Sequence, residues 1–313
     1  MSLLVAIKGW SPDEWVARFR VAAAPRPVLD AREDFDPAAI HYAAVWKPEP
    51  GLLARLPNLK AIFNLGAGVD ALLGDKTLPD VPLCRIVNPD LTARMTEYVV
   101  LHCLTHLRQS EAYRVLQGEA RWKPLPQPSA REVRVGIMGM GVLGQDAAEV
   151  LMRLGFRVAG WSRKRATMPG VEAFAGHNEL SAFLARTDIL VVLLPLTPET
   201  RGLLGRDLFA KLARDGVLGG PILINAGRGG LQEEADILAC LQDGTLKAAS
   251  LDVFETEPLP ASSALWQHPG VIITPHVAAD STPEALVSVV LENIALHERE
   301  GRLMDVVDRK AGY

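Results

Sequence analysis

Along this chain, short apolar runs alternate with amphipathic stretches, and the alternation occurs twice. Over the first ninety residues SLLVAI, PRPVLD, YAAVW, LKAIFNLGAG and PLCRIVN have strand length, and SPDEWVARFRVAA between the first two spaces its apolar residues as a helix does. Strands that alternate with helices predict a parallel sheet with crossover helices. The stretch TARMTEYVVLHCLTHLRQSEAYRVLQGEARW then keeps apolar residues three and four apart throughout. It predicts one long helix, with Thr92 or Thr96 as its cap.

The pattern restarts after the proline-punctuated linker KPLPQPSARE. Strand-like VRVGIMG, FRVAGW, ILVVLLP, PILINAG, LKAASLDV and GVIITPH alternate with helical GQDAAEVLMRLG, ELSAFLAR, RDLFAKLAR and EEADILACLQDG. The unbroken apolarity of ILVVLLP is what a strand covered on both faces requires. The last amphipathic segment, STPEALVSVVLENIALHEREGR, has no sheet of its own and is expected to pack back on the first domain. The fold class is therefore α/β, with two doubly wound parallel-sheet domains: one over 98–281, inserted into another over 1–97 and 282–313.

Composition narrows the function classes. A chain of 313 residues, 49% hydrophobic and 22% charged, can bury two cores as a soluble globular protein. A net charge of -4 argues against nucleic acid or an anionic membrane as partner, so any basic site must be local. Cys84, Cys103 and Cys240 are far apart and odd in number, which implies neither a disulfide framework nor a zinc site. The N-terminal residues lack a basic segment followed by a long apolar run, and no run reaches membrane-span length. A cytoplasmic location is the expectation.

The first chemical signature is VRVGIMGMGVLGQDAAEVLMRLG. Gly139, Gly141 and Gly144 follow an apolar strand and open a helix: one glycine for the turn, one for close approach of a pyrophosphate, one for helix packing. The N–H groups at the helix start, at Val142 and Leu143, then face phosphate. This makes the inserted domain Rossmann-type; the outer one is expected to be flavodoxin-like. A little under twenty residues on, where an acid usually accepts the ribose hydroxyls of NAD, the chain reads GWSRKR. Ser162, Arg163 and Lys164 there suit a 2′-phosphate, and with it NADPH over NADH; Arg165 is the cation expected to point to water. The alternative is an ordinary solvated charge run at a strand end.

Three polar residues follow successive late strands: Arg228 after PILINAG, Glu257 in LDVFETEPLP, and His276 at the end of GVIITPH. In a parallel sheet the carboxyl ends of the strands form one rim, the rim that also holds the cofactor. Each alone has a structural reading as surface charge, turn residue or packing histidine. In this order, NAGRG, DVFETEP and TPH resemble the D-isomer-specific 2-hydroxyacid dehydrogenase family. The resemblance covers essentially the whole chain, and NLGAGVD, RWKPLP, VGIMGMGVLG and the tail VDRKAGY draw it toward the glyoxylate/hydroxypyruvate reductase branch.

That resemblance implies NADPH-dependent reduction of a small 2-oxo acid. Arg228 would clamp the substrate carboxylate and polarise its oxo group, and His276, kept protonated by Glu257, would donate the proton. It adds Leu194, Pro195 and Ala226 to the cofactor wall and gives Asp252 a place near the nicotinamide, although Asp252 can equally anchor its own turn. In LGAGVD the backbone of Gly66, Ala67 and Gly68 can hold a carboxylate or simply form a tight turn. Trp46 is a candidate cover for the substrate and Trp122 a candidate contribution to a partner subunit in a homodimer; both can instead be packing anchors. His102 and His106 lie four apart but lack a third ligand, so a dimer-face or packing role is expected and no metal. The rivals are a reductase of a bulkier 2-oxo acid and a non-catalytic NADP(H)-sensing protein.

Overall fold

The computed structural model describes residues 1–9 and 11–313. The chain forms two compact units, one of Met1–Leu91 with Ser281–Tyr313, the other of Thr92–Asp280. Each is built around a wholly parallel sheet.

In the first unit β1 (Ser2–Ile7), β2 (Val28–Asp30), β3 (Ile40–Trp46), β4 (Ala61–Asn64) and β5 (Leu83–Cys84) stand in the order β2-β1-β3-β4-β5. This is the flavodoxin-like order, whose reversal point lies between β1 and β3. Leu3, Leu4, Ile40, Ala43, Val45 and Ile62 are almost wholly buried, as strands covered on both faces must be. Helix α1 (Pro12–Ala22) buries Trp15, Val16 and Phe19. The C-terminal helix Pro283–Glu300 packs with α1 and buries Leu286, Val287, Val290, Asn293 and Ile294, one face at helical spacing. Beyond it the tail returns to the sheet, with Val307 N–H donating to the Leu83 carbonyl at 2.8 Å. A four-residue helix α2 (Asp70–Leu73) follows the β4 turn.

The second unit begins within α3 (Pro89–Leu107), which a left-handed Gln109 (φ 55°) separates from α4 (Ser110–Gly118). The single long helix expected from periodicity is thus two. No glycine or proline marks the break; the returning segment makes it, since Gln109 donates to the Pro126 carbonyl, Arg108 to Gln127, and Leu125 N–H to the Tyr113 hydroxyl. The start also differs from Thr92 or Thr96. Asn88 Oδ1 accepts the Asp90 N–H at 2.7 Å and Pro89 is the first helical residue, a cap signature written in VNPD.

After the linker come β6 (Arg134–Met138), α5 (Val142–Arg153), β7 (Arg157–Ser162), β8 (Glu172–Ala175), α6 (Gly176–Ala185), β9 (Ile189–Val192), α7 (Arg206–Phe209), β10 (Ile222–Asn225), α8 (Glu234–Gln242), β11 (Ala248–Leu251) and β12 (Val271–Ile273). Their order is β12-β11-β10-β9-β6-β7-β8, a Rossmann arrangement that reverses between β6 and β9. The pattern missed β8, a half-exposed edge strand without a run of apolar residues. It also overextended α7, which closes after one turn at Phe209. No described helix is long and apolar enough to cross a membrane.

Candidate active site

The reversal point carries the glycine loop. Gly139 leaves β6 with φ +108°, and a Cβ there would lie 2.7 Å from the Leu193 carbonyl oxygen. A Cβ on Gly144 would collide with the Gly139 carbonyl, so α5 seats directly on the turn. Gly141, by contrast, faces open space, with nothing within 4 Å of the same position. Two glycines permit close packing and the third leaves a bare surface beside the α5 N-terminus, where Val142, Leu143 and Gly144 present N–H groups with no intrahelical acceptor. These residues fit a dinucleotide pyrophosphate. Leu194 and Pro195 follow β9 on the same rim, and Ala226 N–H donates to the Val192 carbonyl at 3.2 Å, which brings the β10 loop alongside.

The cationic loop follows β7. Ser162 donates its hydroxyl to the Lys164 carbonyl at 2.6 Å, which closes a turn and uses that proton. Arg165 is held away by the Ala173 carbonyl and the Glu179 carboxylate. Arg163 and Lys164 are exposed at the loop tip. Glu199, across the rim in the β9 loop, is held below the usual carboxylate range by the Thr197 hydrogen bond first, with the Arg163 charge contributing.

The late strands end in a connected set. His276 Nδ1 lies 2.8 Å from Glu257 Oε2 and 3.1 Å from Oε1, and both side chains are about a third exposed or less. Glu257 Oε1 also accepts the Phe254 N–H at 3.2 Å. Arg228 is half-buried, its Nη1 donating to the Gly227 carbonyl at 2.8 Å. His276 has φ +58°, an uncommon conformation for a side chain with Cβ.

Asp252, 1% exposed, anchors that conformation. Its Oδ1 accepts the Thr274 hydroxyl at 2.6 Å and the Val277 N–H at 2.9 Å, its Oδ2 accepts the Ala278 N–H at 3.0 Å, and its carbonyl accepts the His276 N–H at 2.8 Å. Burial pushes the Asp252 carboxyl up, against these donors and the nearby His276. Tyr98 on α3 reaches Thr274 at 2.9 Å. With the Thr274 proton on Asp252, the phenol is the donor. Sequence reading missed Tyr98, Thr274 and Asn225 as positioning groups; the apolar helix and strands around them masked the signal.

In the first unit, Asn64 at the end of β4 donates to both the Gly66 and Gly68 carbonyls at 2.9 Å. This turns the carbonyls of the 66–68 turn inward. Among the described residues, none of the N–H groups of Gly66, Ala67 and Gly68 has a hydrogen-bond partner. The Trp46 ring lies against Gly66, where a Cβ would collide with it, so Trp46 packs on the turn that holds these donors. Trp122 is fully exposed, and α4 buries none of its residues. His102 is buried and stacks on Tyr98 with ring centroids 4.2 Å apart, while His106 Nε2 meets Ser250 Oγ at 2.9 Å. Among the described residues no group of three His, Cys, Asp or Glu is placed to hold a metal.

The geometry has counterparts in known proteins. Residues 100–278 match the family model described as D-isomer specific 2-hydroxyacid dehydrogenase, NAD binding domain. The chain is 51% identical to an NADPH-dependent glyoxylate/hydroxypyruvate reductase from Sinorhizobium meliloti solved with NADP and sulfate, covering 100% of both chains at a TM-score of 0.96. It is 48% identical to a probable 2-hydroxyacid dehydrogenase from Rhizobium etli solved with NADP, HEPES and L(+)-tartaric acid, covering 100% of this chain and 99% of that one at 0.94. A D-isomer specific 2-hydroxyacid dehydrogenase from Xanthobacter autotrophicus, solved with NADPH and MES, is 40% identical over 100% of this chain and 99% of that one, also at 0.94. The chain belongs to the D-isomer specific 2-hydroxyacid dehydrogenase family.

Proposed function

We propose that the protein is an NADPH-dependent reductase of small 2-oxo acids, with glyoxylate and hydroxypyruvate as the leading substrates and glycolate and D-glycerate as products. The observation that carries the reading is the Glu257–His276 contact on the same strand rim as Arg228 and an open glycine loop. NADPH, when bound, supplies the hydride that goes to the oxo carbon. The Arg228 guanidinium binds the substrate carboxylate and polarises the oxo group, a planar task suited to its fork. His276 Nε2 gives a proton to the oxo oxygen while Glu257 holds Nδ1 and fixes the orientation of the ring. The 66–68 turn, with three N–H groups unpaired among the described residues, is a nest for a carboxylate, and Trp46 backs it.

The cofactor preference rests on Arg163 and Lys164, cations where a carboxylate would repel the 2′-phosphate of NADP. Asp252 serves this site by holding His276 in place. The reading includes 1–97 with 282–313 as the substrate domain, 98–281 as the nucleotide domain, and a cytoplasmic homodimer. For the dimer, support comes from the fully exposed Trp122 and from Leu101 and Val115, both more than half exposed on α3 and α4.

The test is a panel of 2-oxo acids assayed with NADPH and NADH side by side, following loss of the reduced nicotinamide absorbance. Turnover of glyoxylate and hydroxypyruvate with NADPH preferred is the expected result. Turnover only of bulkier 2-oxo acids moves the substrate assignment, and cofactor binding without any turnover replaces the enzyme with a sensing protein.

A further inference from the structure

Gln232 closes the loop that carries Arg228, just before α8, and its side chain reaches the loop that carries Glu257. It is 2% exposed, yet both ends of its amide are satisfied: Oε1 accepts the Asn225 Nδ2 proton at 2.8 Å and Nε2 donates to the Val253 carbonyl at 3.0 Å. Burying an amide costs free energy unless both groups are paired, so this side chain is selected by its partners and not by its apolar surroundings.

The partners lead in two directions. Asn225, wholly buried at the end of β10, holds the Arg228 turn from inside: its Nδ2 also donates to the Arg228 carbonyl at 3.3 Å and its Oδ1 accepts the Gly227 N–H at 3.1 Å. Val253 carries the other direction. Its carbonyl belongs to the peptide unit whose N–H, that of Phe254, donates to Glu257 Oε1 at 3.2 Å, and Glu257 in turn holds His276 Nδ1. A single peptide plane thus takes the Gln232 proton on one side and gives its own to Glu257 on the other. The two loops touch here, since a Cβ on Gly229 would collide with the Phe254 carbonyl.

We propose that Gln232 is a positioning residue that sets the Arg228 turn and the Glu257–His276 pair in register, so that the carboxylate clamp and the proton donor act on one substrate molecule. It touches neither substrate nor cofactor; it acts through Asn225 and through the Val253–Phe254 peptide. The hydrogen bonds run in one direction along this line, from Asn225 to Gln232 to Val253 and from Phe254 to Glu257, and bonds aligned in this way reinforce one another in a buried setting. This inference rests on the 2-oxo acid reductase reading.

The test uses Gln232→Met, which keeps length and burial and removes both hydrogen-bonding groups. Expected are a fall of about tenfold or more in kcat/KM for glyoxylate, shared between a higher KM and a lower kcat, and an NADPH Kd within about twofold of the parent. Kinetics within about twofold of the parent, with only a lower unfolding temperature, overturn the role. Gln232→Glu gives a second readout. As the neutral acid it can accept from Asn225 and donate to Val253, so its kcat/KM relative to the parent should fall as pH rises, while that of Gln232→Met stays flat. A flat ratio for both variants counts against the linkage. If the parent turns over no 2-oxo acid the reductase reading fails, and amide exchange decides the linkage by itself. Faster exchange in Gln232→Met confined to 226–231 and 253–257 supports it, and unchanged exchange there overturns it.

Discussion

Glu257 Oε2 lies 2.8 Å from His276 Nδ1, and the histidine that makes this contact has a left-handed backbone, at φ +58°. Such a conformation costs on the order of 1 kcal/mol or more for a residue with a Cβ. It persists because Asp252 holds the backbone on both sides of it, through the His276 N–H and through the Val277 and Ala278 N–H groups. The imidazole thereby keeps Nδ1 on Glu257, and in the proposed reduction Nε2 is the nitrogen that serves the substrate.

Replacing His276 by Gln keeps a hydrogen-bonding side chain and removes the transferable proton. The expected result is a fall in kcat of about a hundredfold or more, the ordinary size of a general-acid contribution, with NADPH affinity retained. Turnover within a few-fold of the parent would mean that another group delivers the proton.

Thr274→Val tests the anchor. The substitution is close in volume and leaves Asp252 Oδ1 with the Val277 N–H alone, and the Tyr98 hydroxyl without its acceptor. Loss of partners for two buried polar groups should lower stability by about 1–3 kcal/mol and reduce kcat with it. Denaturant unfolding and steady-state kinetics read both effects. Full stability would show that the hydroxyl chain from α3 holds nothing.

For the cofactor loop the expected pattern is selective. Arg163→Ala with Lys164→Ala should raise KM for NADPH and leave that for NADH nearly unchanged, because only NADPH carries the 2′-phosphate. Arg165→Ala is the control: its guanidinium is engaged by Ala173 and Glu179, so the NADPH to NADH ratio should stay as in the parent. An equal effect of the double variant on both cofactors would remove the 2′-phosphate contact.

What was legible in the sequence follows from where each signal is stored. The glycine loop and the residues Arg228, Glu257 and His276 each stand within a few residues of a strand end, and a parallel sheet collects strand ends on one rim whatever the loops do. Local strings therefore suffice for them. Gln232 and Tyr98 act across 21 and 176 residues of chain, toward Val253 and Thr274 respectively. Nothing within the helical or turn pattern around either residue distinguishes it from a neighbour. The break at Gln109 is of the same kind, because the residues that impose it, Pro126 and Gln127, come from a returning segment. Periodicity reports which face is apolar and cannot report where a helix is interrupted by its own later chain.

The two histidines of α3 give the last prediction, a dependence of stability on pH. Burial holds His102 down to about 4 from an ordinary 6.5, and His106 likewise to about 4 by burial first and then by the charges of His102 and Lys247. The unfolded chain binds these protons as pH falls below about 6.5, whereas the folded one resists them until about 4. The unfolded state therefore holds more protons in this window, and stability must rise with pH across it. For His102, which is 4% exposed, the effect is at most on the order of 3 kcal/mol. Denaturation midpoints measured between pH 7 and pH 4 should decline, and His102→Leu, which removes the titrating group, should decline less. An identical slope in the variant would mean that His102 does not resist protonation in the folded protein.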